Sequence, residues 1–184
     1  MSRKVKLGLK NVHYAVIGSD GSYGTPVAFP GAVSLSLDPQ GDPSEFYADD
    51  SLYFVGSNNV GYKGDFEVAL VTDDFHKDVL GEVEDDNGVL VEQVDRPTVR
   101  FALLFEFTDD VKARRNVFYS CTASRTAVAS QTKTPSSSPI TEKLTITASP
   151  TADGYVKASA DPDADNYEAW YASVQMPDFS AVTT

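Results

Sequence analysis

The chain has 184 residues, a formal net charge of −12 and a hydrophobic fraction of 41%. This length fits one domain that can bury a core, and the apolar fraction excludes a disordered chain. The excess of Asp and Glu over Lys and Arg argues against a protein that binds nucleic acid, because phosphate binding depends on clustered Lys and Arg.

The charged residues at the start of the chain are all basic: Arg3, Lys4, Lys6 and Lys10. A frayed, solvated terminus is one interpretation, and an arm that docks on an acidic neighbour is the other. The start lacks an apolar run that would make a signal peptide, and no segment approaches the ~20 apolar residues of a membrane helix. We therefore expect synthesis in a cytoplasm, an N-terminal arm over residues 1–10, and no membrane partner.

Short alternating segments separated by Gly, Pro, Asn and Asp predict a β domain. The predicted strands are 11–17, 33–37, 44–48, 51–55, 65–72, 82–86, 89–94, 98–107, 114–123, 143–148, 154–160 and 167–175. The strand at 98–107 is apolar on both faces, which predicts a central position between packed layers. The Asp86-Asn87-Gly88 segment predicts a hairpin with a type I′ turn.

One helix is predicted directly after the strand at 65–72. The inward face of that strand is expected to carry Phe66, Val68 and Leu70. Thr72 or Asp73 suits the helix N-cap, and Gly81 suits the position after its end. The predicted fold class is mainly β, an antiparallel sandwich or barrel with one short flanking helix at about 73–80.

An extended hairpin is predicted over residues 44–64, where apolar side chains lie in a polar context. These side chains are Phe46, Tyr47, Leu52, Tyr53, Phe54, Val60 and Tyr62. The hairpin either covers the core of its own subunit or forms a contact surface for another copy.

The Ser- and Pro-rich stretch at 130–141 predicts a surface loop, and residues 176–184 predict a flexible tail. We expect one domain, 1–184.

The candidate motifs for catalysis and metal binding in the sequence are incomplete. The glycine-rich 18–24 segment lacks the Lys-Ser/Thr of a phosphate loop, so it predicts a turn. Residues 161–165 have Asp at every second position, as a calcium loop does. However, Asn166 replaces the required Gly and Ala172 replaces the bidentate Glu. A solvated acidic turn is the favoured interpretation, with a weak cation site as the alternative.

The remaining reactive side chains are isolated in the sequence. His13 and His76 have no zinc-site spacing, and Cys121, the only cysteine, predicts a buried inert thiol. Adjacent acids such as Asp49 and Asp50 point to opposite faces of a strand, so they cannot converge on one substrate. We expect no enzyme, no catalytic residue, no metal and no cofactor.

Six segments spread over nearly the whole chain carry a family resemblance. They are GLKNVHYAVI at 8–17, PGAVSLSLDPQG at 30–41, FYADD at 46–50, GYKGDFEVALVTDDFHKDVLGE at 61–82, FALLFEFTDDVKARRNVFYSC at 101–121 and TEKLTITASPTADG at 141–154. In this order they resemble the major tail proteins, or tail tube proteins, of long-tailed bacteriophages with non-contractile tails, especially those infecting Gram-positive bacteria. None is a catalytic signature, so the specificity comes from their number and order.

The resemblance implies a structural virion protein with a tail tube fold, assembled in the host cytoplasm. Its copies would close into rings, six per ring, and the rings would stack into the hollow conduit for DNA ejection. Its partners would be other copies of itself and the tail tip or baseplate, tape measure and tail terminator proteins. DNA would pass without specific binding, since a charge of −12 per copy fits a lumen that repels phosphate.

In such families terminal arms and long hairpins join subunits and rings. The resemblance therefore favours two sets of subunit-interface candidates. They are Arg3, Lys4 and Lys6 in the arm, and the seven apolar residues of the 44–64 hairpin.

A virion or surface β-sandwich that binds carbohydrate or a host surface is the alternative. Exposed Trp170, Tyr167 and Tyr171 on the predicted strand 167–175 would stack on sugars. Assembly separates the two functions. A binder acts as a small fixed oligomer, whereas a tube protein forms rings or polymers as its concentration rises.

Overall fold

The computed structural model describes residues 7–41, 44–48, 50–56, 58–108, 113–132 and 139–179. Within these ranges the protein is mainly β, with antiparallel sheets and one short helix, which confirms the predicted fold class. The helix is α1 (Asp73–Asp78). The strands are β1 (Leu7–Val16), β2 (Val27–Ala28), β3 (Ala32–Gln40), β4 (Ser44–Ala48), β5 (Ser51–Gly56), β6 (Gly61–Val68), β7 (Val83–Glu84), β8 (Leu90–Val91), β9 (Phe101–Thr108), β10 (Arg114–Ala123), β11 (Glu142–Ala148) and β12 (Lys157–Ala160).

Eight strands form one antiparallel sheet whose path runs β2-β1-β9-β10-β11-β6-β3. Strand β10 pairs with β9 along one edge. Its other edge pairs first with β12 and then, from Cys121 onward, with β11. Strands β1 and β3 contact each other although four strands lie between them in the path. The sheet therefore curls and encloses one core on its inner face.

Strand β9 separates two apolar layers. Phe101, Leu103 and Phe105 join the inner core, while Ala102 and Leu104 join a smaller outer layer. All five side chains are buried. The prediction of a central strand with two apolar faces is confirmed. The other buried members of the outer layer are Ala15, Val117, Tyr119, Ala160 and Trp170.

Helix α1 closes one end of the inner core. Thr72 caps it as predicted, because its side-chain oxygen accepts a hydrogen bond from the Phe75 backbone N–H at 3.3 Å. The ring of Phe75 is fully buried and meets the Phe101 ring edge-on at 5.5 Å. No helix among the described residues is long and apolar enough to span a membrane.

Two boundaries near α1 differ from the predicted ones. The helix ends at Asp78 and not at residue 80, because Val79 and Leu80 turn into the inner core, where both are buried. Strand β6 ends at Val68, so the expected inward position of Leu70 is wrong, and that side chain is 68% exposed. The chain leaves the sheet there to reach the cap of α1.

The predicted strand 167–175 is wrong. Residues 161–175 form consecutive turns, in which backbone N–H groups donate to carbonyls three or four residues earlier. The segment lies across the outer layer and buries Trp170 there. We call residues 161–175 the C-terminal cover.

Two small hairpins, β4–β5 and β7–β8, form sheets of their own and pair with no other described strand. The predicted β7–β8 hairpin is confirmed, but its predicted type I′ turn is wrong. Gly88 has a φ of +81°, whereas Asn87 is not among the residues with positive φ, so the turn is not type I′. The Asp85 carboxylate stabilises it by accepting from the N–H groups of Asn87 and Val89, both at 2.8 Å.

Candidate functional site

An open groove lies at the end of the inner core away from α1. It has a volume of about 910 Å³, and its walls come from β3, β6, β9, β10 and β12. The apolar side chains that line it are Leu35, Leu37, Tyr62, Phe105, Phe107 and Phe118. We call this the end groove. It is the place where the curled sheet leaves its apolar interior open.

Two basic side chains, Lys157 and Arg114, lie at the rim of the end groove, although the protein is acidic. The Lys157 Nζ lies 4.5 Å from the centroid of the Tyr62 ring, a cation–π contact. Arg114 donates two hydrogen bonds to the Asp161 carboxylate, each of 2.9 Å. Within the described ranges no carboxylate lines the groove, and none lies within ion-pair distance of Lys157. An apolar segment that carries carboxylates would match this surface.

Residues 83–95, which we call the acidic hairpin, have the opposite character. They include five Asp or Glu residues and no Lys or Arg. Their side chains are exposed from residue 84 onward, apart from Leu90. Three of the exposed side chains are apolar: Val89 at 54%, Val91 at 38% and Val94 at 98% exposure. The hairpin presents valines and carboxylates together to solvent.

The base of the acidic hairpin is held by neighbouring cations. The Lys77 Nζ of α1 lies 3.1 Å from the Glu84 carboxylate. Arg125, just after β10, forms an ion pair with Glu92. The Lys77–Glu84 and Arg125–Glu92 pairs hold the base of the hairpin. Neither pair involves Asp95 or the tip of the hairpin, which extends away from the base.

The end groove and the acidic hairpin lie at opposite ends of β9. The hairpin leads into the start of that strand at Phe101, while Phe105 and Phe107 line the groove near its end. The six residue steps from Phe101 to Phe107 correspond to about 20 Å. In this structure no residue of the acidic hairpin lines the groove of its own subunit.

The predicted interface residues fall in three different places. Arg3, Lys4 and Lys6 lie outside the described residues. The rest of the expected arm, Leu7–Lys10, belongs to β1. For five hairpin candidates the structure describes the backbone alone, and it places them in β4 and β5. They are Phe46, Tyr47, Leu52, Tyr53 and Phe54.

The last two candidates separate from that hairpin. Strand β5 ends at Gly56, and residues from Gly61 onward belong to β6 of the main sheet, so the predicted hairpin boundary at 64 is wrong. Val60, in the connection, is 57% exposed. Tyr62 is half-buried and lines the end groove, with its ring 5.2 Å from that of Phe118.

A buried polar cluster beneath the C-terminal cover was not predicted. Glu106, only 6% exposed, accepts a hydrogen bond of 2.7 Å from the Asn11 amide and one of 3.3 Å from the Tyr171 hydroxyl. The Arg115 Nε lies 3.5 Å from the same carboxylate. Asn11 has a φ of +48° at the irregular register between β1 and β9, which sets its amide against Glu106. The sequence signal was a glutamate on an otherwise apolar strand face.

Arg115 connects this cluster to the cover. Its guanidinium carbon lies 3.7 Å from the Tyr167 ring centroid and 5.0 Å from that of Tyr171, and it donates to the Tyr167 carbonyl. Burial, and then the charge of Glu106, raises the pKa of Tyr171. Trp170 is 3% exposed, and its indole N–H donates to the Asn116 carbonyl at 3.4 Å. The expectation of an exposed Trp170 is wrong, so these rings form no open platform for sugars.

The remaining reactive side chains have structural partners. Burial raises the pKa of the Cys121 thiol to about 12, which confirms the inert buried cysteine. His76 pairs with Glu82 at 2.7 Å, and the ring of His13 packs at a tilt against that of Tyr171, with 4.6 Å between the ring centroids. No group of three or more His, Cys, Asp or Glu side chains in the described part of the chain is placed to hold a metal ion.

A scan against models of protein families finds no match to this chain. A search of curated proteins finds no relative either.

Proposed function

We propose that this protein is a structural subunit of a phage tail tube, a virion protein that assembles into rings stacked as a hollow conduit. One observation carries the proposal. Two β-hairpins, β4–β5 and β7–β8, stand outside the main sheet and pair with no other described strand. Because an isolated two-stranded hairpin is marginally stable in water, such extensions suit contacts with neighbouring copies. The resemblance of six sequence segments to tail tube proteins supports the same function.

Symmetry provides the mechanism of assembly. A ring closes when each subunit uses the same two complementary surfaces, whereas head-to-tail stacking of rings stays open and makes a filament. A net charge of −12 per copy suits a bore that repels the phosphate backbone, so that DNA slides without sticking. The partners at the two ends would be tail tip and terminator proteins, with a tape measure protein inside.

Negative-stain electron microscopy over a range of concentrations, paired with light scattering, tests the proposal. We expect rings or hollow tubes that increase with concentration. Replacing Tyr53 and Phe54 with Ser should leave a folded monomer that does not assemble. Val128→Ser is the matched control, since Val128 is fully exposed outside both hairpins. A 19.9 kDa monomer at every concentration, even with tail-tip complex added, would overturn the proposal.

A further inference from the structure

We propose that the acidic hairpin of one copy docks in the end groove of the next. This inference rests on the proposed self-assembly, but it assigns a specific pair of surfaces to it. The donor is the set of exposed valines and carboxylates on residues 83–95, and the acceptor is the apolar groove whose rim carries Lys157 and Arg114.

Charge and polarity match across this contact. The groove offers aromatic and aliphatic walls with the Lys157 ammonium at the rim, in a chain of net charge −12. The hairpin offers Val89, Val91 and Val94 flanked by acids. Complementary potentials of this kind guide association and exclude wrong partners. Burial of the valines supplies the apolar contribution.

The backbone beside the groove adds a second match. Strands β3 and β12 contribute walls to the groove, and each pairs with one other strand in the described part of the chain. Edge strands present unpaired N–H and C=O groups that an incoming extended segment can bond.

The placement of the two surfaces determines the type of assembly. Since they lie at opposite ends of β9, the contact is head-to-tail and leaves a free hairpin and a free groove after every step. Such a heterologous contact generates a ring if the rotation closes and a filament if it does not. Both results fit a tube built from rings.

Site-directed cross-linking tests the contact in the full-length protein. Val89→Cys and Ser159→Cys are introduced together, and a short flexible bis-maleimide is added. Both native positions are exposed, and the native Cys121 is buried, so background reaction is low. We expect a ladder of dimers, trimers and higher species on denaturing gels. Mixing the two single-cysteine proteins should give dimers only, because each chain then has one reactive thiol. Val128→Cys with Ser159→Cys is the matched control and should give no ladder.

A charge exchange tests the rim independently. Lys157→Glu should lower the cross-linking yield about fivefold, as expected for loss and reversal of a surface charge pair. Adding Asp86→Lys and Asp95→Lys to that protein should restore most of the yield. An unchanged yield in Lys157→Glu, or a ladder equally strong in the Val128 control, would overturn the docking.

Microscopy of the same samples separates this inference from the proposed function. Rings or tubes without a ladder would overturn the docking and leave the tube function standing. A ladder without rings or tubes, even with tail-tip complex added, would support the docking and overturn the tube function. The absence of both would overturn both.

Discussion

Removing the negative charge of Glu106 should destabilise the protein strongly, although the side chain keeps its size. In Glu106→Gln the amide oxygen still accepts from Asn11, but Arg115 loses the carboxylate 3.5 Å from its Nε. At an effective dielectric constant of ~20, two unit charges at that distance attract by about 5 kcal/mol. Both side chains are mostly buried, at 8% and 16% exposure, so solvent screens the pair little.

The net loss should be smaller than this gross attraction. Burying the neutral amide costs less than burying the carboxylate, which offsets part of the lost attraction. We expect a decrease in the free energy of unfolding of ~2–3 kcal/mol, equivalent to a melting temperature lower by about 5–10 °C for a chain of this size. Urea denaturation at one fixed protein concentration measures it, with Trp170 fluorescence as the signal. Trp170 is the only tryptophan, and its side chain is buried between the cover and the outer layer.

A double-mutant cycle isolates the pair. Arg115→Met alone leaves a buried carboxylate without its cation and should cost ~3–5 kcal/mol. Combined with Glu106→Gln, it should cost at least ~1 kcal/mol less than the sum of the two single changes. Arg114→Met is the matched control, because the neighbouring arginine pairs with Asp161 in solvent and should contribute at most ~1 kcal/mol. Strict additivity, or an equal loss in the control, would refute this account of the cluster.

Two further predictions concern the outer layer. Trp170→Ala should cost ~3–5 kcal/mol and make residues 161–175 sensitive to limited proteolysis, whereas Met176→Ala, at a half-exposed site, should change little. Wild-type resistance in the Trp170 variant would contradict the cover. Burial raises the pKa of Tyr119 from 10.0 to about 12 and that of Cys121 from 9.0 to about 12. The folded state thus holds more protons above pH 9, so the free energy of unfolding should fall as pH rises from about 9 to about 12. Tyr119→Phe should reduce that slope in urea titrations, and a flat profile to pH 12 would contradict it.

Local patterns in the sequence predicted those elements whose environment is set by near neighbours. The two apolar faces of 98–107 predicted a central strand. The structure agrees, because every residue from Phe101 to Phe105 in β9 is apolar and buried. The capping residue Thr72 located the start of α1, because a cap depends only on the residues next to it. Its end was wrong by two residues, since the inner core, and not the helix, determines where Val79 and Leu80 point.

Features that depend on distant partners could not be predicted in this way. The aromatic spacing of the C-terminal cover fits both a strand and a series of turns, and the choice depends on the outer layer that Trp170 fills. The partners of Glu106 come from β1, β10 and the cover, through a bulge at Asn11 that no local rule indicates. Lys157 reaches the groove rim only because β12 pairs with β10.

The cover links the stability of the protein to the surface proposed for docking. Arg115 holds the cover through Tyr167, and the adjacent Arg114 bonds Asp161 at the first residue of the same segment. Arg114 also lines the end groove, so its position depends on whether the cover is in place. A rigid rim costs less conformational entropy on binding than a mobile one. The buried pair of Glu106 and Arg115 therefore lies beneath the C-terminal cover, the segment that orients Arg114 at the groove. The acidic hairpin, at the other end of β9, is anchored separately by Lys77 and Arg125.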